Sequence, residues 1–266
     1  MENLLPKIYK NLSNYLMKYK AVSGEELMWQ ISQEVDSLTQ EEKDALNKSL
    51  EGDPKRMIFE GIVGNVRLSV FSPDMHVQLN YLGEVFYTPP THKYMPEELE
   101  MAFKRLVDLR FAEAAPVVEE TICDLLKKSG FEVSEKDTQI NDVYTCLRAE
   151  KDGNELLLFL FPSIIYLPEN IEALKRIPDE YIVFIPSEKS PAPFVNFIRG
   201  NMDAIRENPK LMIWVVNAAE KTVSPFLGTP KDKEIWGNLT DPEKSLQATQ
   251  NWIKGAVRSR VLDEDF

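Results

Sequence analysis

The chain has 266 residues, of which 43% are hydrophobic and 28% are charged, a balance typical of globular proteins that leaves room for two modest domains. Its 31 basic and 43 acidic residues give a formal net charge of -12, which disfavours unaided binding to the phosphate backbone of a nucleic acid. The N-terminus lacks the apolar run of a signal peptide, and no stretch approaches the about 18 apolar residues of a membrane helix, so we expect a soluble, cytoplasmic protein without a membrane partner.

Three short helices are predicted within the first fifty residues. Apolar residues recur at helical spacing over Leu4–Lys18. Ser23 with Glu26, and Thr39 with Glu42, then have the spacing of a capping box, in which the two side chains bond free backbone N–H groups at a helix start.

Two stretches after these helices are predicted to form β ribbons, Met57–Phe71 and His76–Tyr87. Apolar and polar residues alternate over 66–70 and 77–81, which predicts a half-buried antiparallel pair. Helices followed by ribbons favour a winged-helix-like unit as one interpretation, although no segment is rich in the Lys, Arg, Asn or Gln of a recognition helix.

A stiff connector containing Pro89, Pro90 and Pro96 ends this first region, so we place a domain boundary near Met95. The predicted domains are 1–95 and 96–266. The first carries 10 basic and 13 acidic residues and the second carries 21 and 30, so the second domain holds -9 of the net charge.

A long helical pattern begins at Pro96, and Pro116 is expected to end or kink it before a second helical run to Lys128. Gly130 then fits the left-handed position of a Schellman cap, because a residue without a Cβ adopts that conformation without strain. The following F-E-V begins the first strand of the second domain.

Strands and helices alternate beyond this point. The K-D-G-N stretch has the chemistry of a tight hairpin turn, and the runs L-L-L-F-L-F and Y-I-V-F-I have the continuous apolar character of central strands. We therefore predict a sheet covered on both faces, with an edge strand at Thr222–Leu227 and a C-terminal helix that begins at Asp241-Pro242.

The sequence contains no motif for a redox-active cysteine pair, a zinc site or a phosphate-binding loop. Cys123 and Cys146 form no CxxC pair and are interpreted as free thiols of a reducing compartment. His76 and His92 match no zinc spacing and are interpreted as loop histidines. The G-I-V-G-N stretch lacks the Lys-Ser/Thr pair of a phosphate loop, so we interpret it as a turn between strands.

The order helix, strand, strand, strand, helix, strand over Val117–Pro186, with G-F-E-V opening the first strand, resembles the PD-(D/E)xK superfamily of restriction-endonuclease-like proteins. The resemblance implies an α/β fold, α+β overall: a mixed sheet flanked by helices, here preceded by a smaller helical and β-ribbon domain. It also implies a hairpin with one acidic residue on the first strand and an acid-x-Lys triplet on the next, which hold a divalent metal and the attacking water.

Asp142 stands where the resemblance implies the first acid, but Phe159 and Phe161 stand where it implies the acid and the lysine. Moving the register does not restore the triplet, because Glu155 is followed two residues later by leucine and the strand contains no lysine. The resemblance implies a helix carboxylate as a further ligand, here Glu119 or its neighbour Glu120. The remaining candidates, Asp142, Glu155 and Glu119, are thus vestigial, and each also fits a turn or a solvated surface charge.

Three functions follow from these observations. The first is a non-catalytic binding or assembly protein without a cofactor, whose partner is another protein or a second copy. The second is a nuclease that uses Mg²⁺ or Mn²⁺ and migrated acids, Asp142 with Glu155 or Glu119. The third is a DNA-binding regulator that contacts phosphates through basic residues of the N-terminal helices, namely Lys18, Lys20, Lys55 and Arg56.

Overall fold

The computed structural model describes residues 4–50, 52–64, 77–89 and 95–264, with side chains described as far as Gly255. The chain divides into two compact units, Met1–Leu109 and Arg110–Phe266. Within the described residues, no helix has both the length and the apolar character that crossing a membrane requires.

The first unit is helical with a small antiparallel sheet. The three helices predicted from the first fifty residues are present, and a fourth follows them. Its elements are α1 (Leu4–Tyr19), β1 (Val22–Ser23), α2 (Gly24–Asp36), α3 (Gln40–Ser49), α4 (Pro54–Ile62), β2 (Val77–Tyr81), β3 (Glu84–Thr88) and the start of α5 (Pro96–Lys128). The strands pair antiparallel in the order β1-β3-β2.

Both predicted caps are confirmed. The hydroxyl of Ser23 accepts a hydrogen bond from the backbone N–H of Glu26 at 3.0 Å. Thr39 accepts one from the N–H of Glu42 at 3.3 Å, while the Glu42 carboxylate accepts one from the N–H of Thr39 at 2.9 Å. These bonds satisfy backbone groups that a helix start leaves free, so α2 and α3 begin where the sequence predicts.

The β ribbon predicted from Met57 is wrong for the described part of that stretch, which forms helix α4. Asp53 caps this helix through the N–H of Lys55, and Pro54 occupies its first turn, where no N–H donor is needed. The described part of the G-I-V-G-N stretch, Gly61–Gly64, therefore lies at the end of a helix, so its interpretation as a turn between strands is wrong. The alternating residues 66–70 lie outside the described residues, and the described partner of strand 77–81 is β3.

Helix α5 does not end at Pro116, where the sequence predicted an end or a kink, and runs on to Lys128. Ala115, Val118 and Ile122 on its inner face are buried in the core, and this burial offsets the single backbone hydrogen bond that the proline ring removes. The first compact unit extends to Leu109, so it includes the first turns of α5.

The predicted Schellman cap ends α5. Gly130 has φ of +82°, Phe131 donates its N–H to the carbonyl of Leu126 at 3.0 Å, and Gly130 donates to Lys127 at 3.0 Å. These are the two bonds that define the motif, so the prediction is confirmed.

The second unit is built on a six-stranded mixed sheet in the order β4-β5-β6-β7-β8-β9, and the overall architecture is mixed α+β, as predicted. The β6-β7 and β7-β8 pairs are parallel and the other three pairs are antiparallel. Its elements are β4 (Glu132–Glu135), β5 (Thr145–Lys151), β6 (Asn154–Leu160), a 3-10 turn (Ile164–Tyr166), α6 (Leu167–Lys175), β7 (Glu180–Pro186), α7 (Ala192–Glu207), β8 (Ile213–Asn217), β9 (Thr222–Leu227), α8 (Lys233–Asn238) and α9 (Pro242–Glu264).

Several predicted features of this unit are present. Asp152 and Gly153, with φ of +52° and +76°, form the tight turn of the β5-β6 hairpin. The edge strand at Thr222–Leu227 is β9, and the C-terminal helix begins at Pro242.

Both faces of the sheet are covered. Leu158 and Leu160 of β6 belong to the core that includes Val118 and Ile122 of α5. Successive strand residues point to opposite faces, so Phe159 points to the other face, where it is 2% exposed. The apolar runs of β6 and β7 therefore lie in the middle of the sheet, as their sequence predicts.

Candidate functional site

The strand positions that the resemblance assigns to an acid and a lysine are part of the core. Phe159 lies opposite Cys146 on β5, and its ring centroid is 6.0 Å from that of Tyr181 in an edge-to-face contact. Phe161 is fully buried directly after β6. These two positions hold close-packed aromatic rings and offer no oxygen to a metal.

Asp142 lies in an exposed turn just before β5, with φ of +57°. Two residues later Tyr144 donates its N–H to the carbonyl of Leu160 at 2.8 Å, which places this turn beside the C-terminal end of β6. The location fits the interpretation of Asp142 as a turn residue, because aspartate tolerates the left-handed conformation better than most side chains.

Glu155 lies at the opposite end of the same hairpin, paired with Glu150, whereas the Asp142 end is marked by the pair of Thr145 with Leu160. Five residues of extended strand separate these two pairs, which corresponds to roughly 17 Å. The structure therefore does not bring Asp142 and Glu155 together.

Two positively charged side chains bind the Glu155 carboxylate. Lys136 donates to it at 2.7 Å and Arg148 approaches it at 2.9 Å. The hydrogen bond from Lys136, supported by the charge of Arg148, holds the pKa of Glu155 below its usual range. A lowered pKa of this kind is typical of a surface carboxylate that forms ion pairs.

Glu119 and Glu120 lie on α5. Glu119 is half-buried, and Glu120 is exposed and pairs with Lys221 at 3.0 Å. Among the described residues, no group of three or more His, Cys, Asp and Glu side chains is arranged to hold a metal ion. Asp142, Glu155 and Glu119 thus do not form a ligand set.

The cysteines are both free, as predicted, with Cys146 buried and Cys123 half-buried. Burial raises the pKa of each thiol, which disfavours the reactive thiolate. His76 and His92 lie outside the described residues.

Three of the four basic residues considered as DNA contacts pair with carboxylates, and the fourth lies over an aromatic ring. Each pair with a carboxylate lowers the positive charge available to a phosphate. The pairs are Lys20 with Glu98 at 3.5 Å, Lys55 with Asp36 at 2.9 Å, Arg56 with Glu60 at 4.0 Å, and Lys18 with the Tyr19 ring at 4.7 Å from its centroid.

A cavity of about 390 Å³ lies at the β5-β6 turn and the loop before α8. Lys151 lies at this cavity and binds Asp232 at 2.8 Å and Glu234 at 2.7 Å, and its ammonium is 5.1 Å from the Phe131 ring centroid. The hydrogen bond to Asp232, followed by that to Glu234, raises the pKa of Lys151. These two ion pairs link Asp232, in the loop before α8, and Glu234, in the first turn of α8, to the β5-β6 hairpin.

A different site, which the sequence did not predict, lies at the C-terminal ends of β7 and β8. We call it the aromatic groove. Its volume is about 550 Å³, and its walls include Phe194, Val215, Phe226, Ala248, Thr249 and Trp252. Four separate elements supply these residues, since Phe194 belongs to α7, Val215 to β8 and Phe226 to β9, and the other three belong to α9.

The polar side of the aromatic groove is the segment after β7, Ser187–Pro191. The fully buried hydroxyl of Ser163, which follows β6, donates a 2.6 Å hydrogen bond to the Glu188 carboxylate. The Ser190 hydroxyl accepts one from the N–H of Ala192 at 3.1 Å, at the start of α7.

One sequence signal could have located this edge. A Pro-Ser pair marks the end of both buried strands. Pro162-Ser163 follows β6, and Pro186-Ser187 lies at the end of β7. The carboxyl ends of parallel strands meet at one edge of a sheet, and ligand crevices of open α/β sheets form there.

One known sequence family matches most of the second unit. A sequence family described as the C-terminal domain of DUF6834, a domain of unknown function, matches residues 111–241. The matched range begins one residue after Arg110, where the second compact unit begins, and it ends at residue 241, within that unit. No curated protein matches this chain.

Proposed function

We propose that this protein is a non-catalytic binding or assembly protein built on a nuclease-like fold, and that its partner is another protein or a second copy of the chain. One observation carries the proposal. Phe159 and Phe161 are buried at the two positions where the resemblance implies the metal-binding acid and the lysine.

The element order supports the nuclease-like part of the proposal. Helix α5, strands β4, β5 and β6, helix α6 and strand β7 follow one another along the chain, and the four strands are neighbours in one sheet. This is the order that the resemblance implies over Val117–Pro186.

The chemistry supports the non-catalytic part. A catalytic Mg²⁺ or Mn²⁺ is held by converging oxygen ligands, and two aromatic rings supply none. Asp142 and Glu155 lie at opposite ends of the hairpin, and Glu155 is already paired with Lys136 and Arg148. Replacing a charged site by buried rings strengthens the core and leaves the fold available for binding.

Charge supports a protein partner over a nucleic acid. The formal net charge of -12 repels phosphates at long range, and the second domain carries most of it. The two free thiols fit a reducing compartment such as the cytoplasm.

The test is a metal and nuclease assay on the full chain. We expect no plasmid nicking above a protein-free blank with Mg²⁺ or Mn²⁺, and no Mn²⁺ binding by electron paramagnetic resonance at micromolar metal. The variants are Asp142→Ala and a matched control, Asp152→Ala, because both aspartates are exposed turn residues with positive φ in the same unit. Nicking that Asp142→Ala abolishes and Asp152→Ala retains would overturn the proposal.

A further inference from the structure

Strand β4 is an open edge of the six-stranded sheet. It pairs with β5 on one side, and no strand of the described chain pairs with it on the other. Lys136, directly after β4, donates its N–H to the carbonyl of Cys146 on β5 at 2.9 Å. Residues of an antiparallel strand alternate between bonding their neighbour and facing away from it, so the N–H and carbonyl groups of Val133 and Glu135 point outward.

These outward main-chain groups allow the edge to accept a further strand. Main-chain hydrogen bonds supply the attraction in such pairing, and natural sheets block it with proline, a bulge or an edge lysine. The sequence of β4, E-V-S-E, contains neither proline nor lysine, and its register with β5 has no shift. The edge instead carries two exposed glutamates, Glu132 and Glu135. Directly opposite charges stabilise a strand pair when their signs differ and destabilise it when they are alike, so these glutamates select the incoming strand.

The carboxylates of Glu132 and Glu135 are free to pair with an incoming strand. Neither forms an ion pair or a side-chain hydrogen bond with any residue that the structure describes. The cations on the same part of the sheet are already bound, since Lys136 and Arg148 both contact Glu155, at 2.7 Å and 2.9 Å. A basic side chain opposite either edge glutamate therefore meets a carboxylate that has no other ion pair.

The negative charge is local to this edge. Residues 132–142, which comprise β4 and the loop after it, contain four acidic residues and one lysine, a formal charge of -3. Lys127 and Lys128 precede the strand and lie in the last turn of α5, where positive charge complements the negative end of the helix dipole. Two copies of the chain paired at this edge would bring two acidic segments together, and a phosphate backbone would be repelled as well. The edge therefore favours a basic segment of another protein.

The alternation of side chains defines the order of residues in that segment. Val133 packs against the core of the second unit, so an apolar side chain opposite it extends this core. An antiparallel partner follows β4 in the reverse direction, in which Glu135 lies two residues before Val133 and Glu132 lies one residue after it. The complementary order is basic, any residue, apolar, basic.

We propose that the outer edge of β4 binds an extended basic segment of a partner protein, which becomes a seventh strand of the sheet. The segment runs antiparallel to β4, because antiparallel pairing is the more stable arrangement per residue. It places basic residues opposite Glu135 and Glu132 and an apolar residue opposite Val133. This inference rests on the proposed binding function and specifies its partner.

The probe is the synthetic peptide acetyl-T-T-K-T-V-K-T-T-amide, titrated into the isotope-labelled full chain and followed by nuclear magnetic resonance of the backbone amides. We expect a dissociation constant of about 1 mM or lower, and binding that weakens as salt is raised. Hydrogen exchange should slow at the N–H groups of Val133 and Glu135 and change little at Ser134, whose N–H already faces β5. The acidic peptide acetyl-T-T-E-T-V-E-T-T-amide should not bind measurably.

Methylation of single backbone nitrogens of the peptide tests main-chain pairing without altering the protein. The first lysine and the valine stand opposite Glu135 and Val133, so their N–H groups point to β4. Methylation of either nitrogen should weaken binding about tenfold or more. The threonine between them directs its N–H away from β4, so its methylation should change binding by no more than about twofold.

Charge reversal at the edge tests the charge of the partner. Glu132→Lys combined with Glu135→Lys should weaken the basic peptide about tenfold or more. The matched control is Glu172→Lys combined with Glu243→Lys, because these glutamates are exposed on α6 and α9 of the same unit and the change in net charge is equal. The control should bind within about twofold of the unaltered chain, since salt screens distant charges. Thermal unfolding identifies a loss of binding that merely reflects unfolding, and the methylated peptides decide if the edge variant is unstable.

Four outcomes overturn the inference. They are no binding of the basic peptide, equal binding of the acidic peptide, methylation effects that do not alternate, and binding insensitive to the charge reversal at β4. Slow exchange of the Val133 and Glu135 N–H groups without peptide, together with a dimer that the charge reversal disrupts in sedimentation, would make a second copy the occupant and would also overturn it. The metal and nuclease assay is independent of these results, so the inference can fail while the proposed non-catalytic function stands.

Discussion

The substitution Phe159→Ala tests directly whether this position now serves the core. The ring is 2% exposed and contacts Tyr181 edge to face. A buried aromatic side chain removes about 150–250 Å² from water, which at about 25 cal/mol per Å² corresponds to roughly 4–6 kcal/mol for the whole side chain. Alanine retains part of this burial but leaves a cavity, so we expect a loss of about 3–5 kcal/mol in the free energy of unfolding.

The assay is denaturant unfolding followed by tryptophan fluorescence, which reports on the second unit through Trp214 in its core. The control is Tyr144→Ala in the same unit, because Tyr144 is 52% exposed and makes an edge-to-face contact with Phe111. This control should lose about 0.5–1.5 kcal/mol. A loss below about 1 kcal/mol for Phe159→Ala, or equal losses for the two variants, would refute the view that Phe159 is a core residue.

Three further predictions concern local features. Gly130→Ala should lower the free energy of unfolding by about 1–2 kcal/mol in denaturant titrations, because alanine is strained at φ of +82° while its Cβ meets only ordinary contacts. The N–H of Thr39 and then its hydroxyl hold the pKa of Glu42 below the usual range, so this carboxylate stabilises α3 above about pH 4.3, the unfolded pKa, and the effect is lost as pH falls through the folded pKa. The melting-temperature difference between the unaltered chain and Glu42→Gln should therefore shrink as pH is lowered from neutral to below about 4.3, and a difference that stays constant over this range would contradict the assignment. Arg105→Ala should lower the stability of the first unit by about 3–5 kcal/mol in thermal unfolding, because it leaves the buried Glu26 carboxylate, 2.7 Å from Arg105, without its ion pair. A loss within about 0.5 kcal/mol would mean that this pair is not needed for the fold.

Local signals predicted those features whose physical cause is also local. Gly130 was predictable as a cap because only a residue without a Cβ adopts its conformation freely, and Thr39 with Glu42 because their partners lie within one helical turn. The stretch from Met57 was ambiguous, since a short apolar run suits a strand or a helix, and the start at Asp53-Pro54 decided for a helix.

At Pro116 the packing of the core, and not the local effect of proline, determines that the helix continues. A proline inside a helix removes one hydrogen bond, and by sequence this predicts an end or a kink. The helix continues because residues on both sides of Pro116, including Ala115 and Val118, bury their side chains in one core. That burial depends on strands far along the chain, which no local pattern contains.

By itself the sequence determined the fold class, the order of the elements over Val117–Pro186, the excess of acidic residues, and the absence of a lysine from the strand that begins after K-D-G-N. Only the tertiary structure decided which of these residues meet. The register of the hairpin separates Asp142 from Glu155, and the packing of α7, β9 and α9 brings Phe194, Phe226 and Trp252 together. The physical reason is that caps and turns depend on neighbours within a few residues, whereas strand register and aromatic packing depend on contacts between segments far apart in the chain.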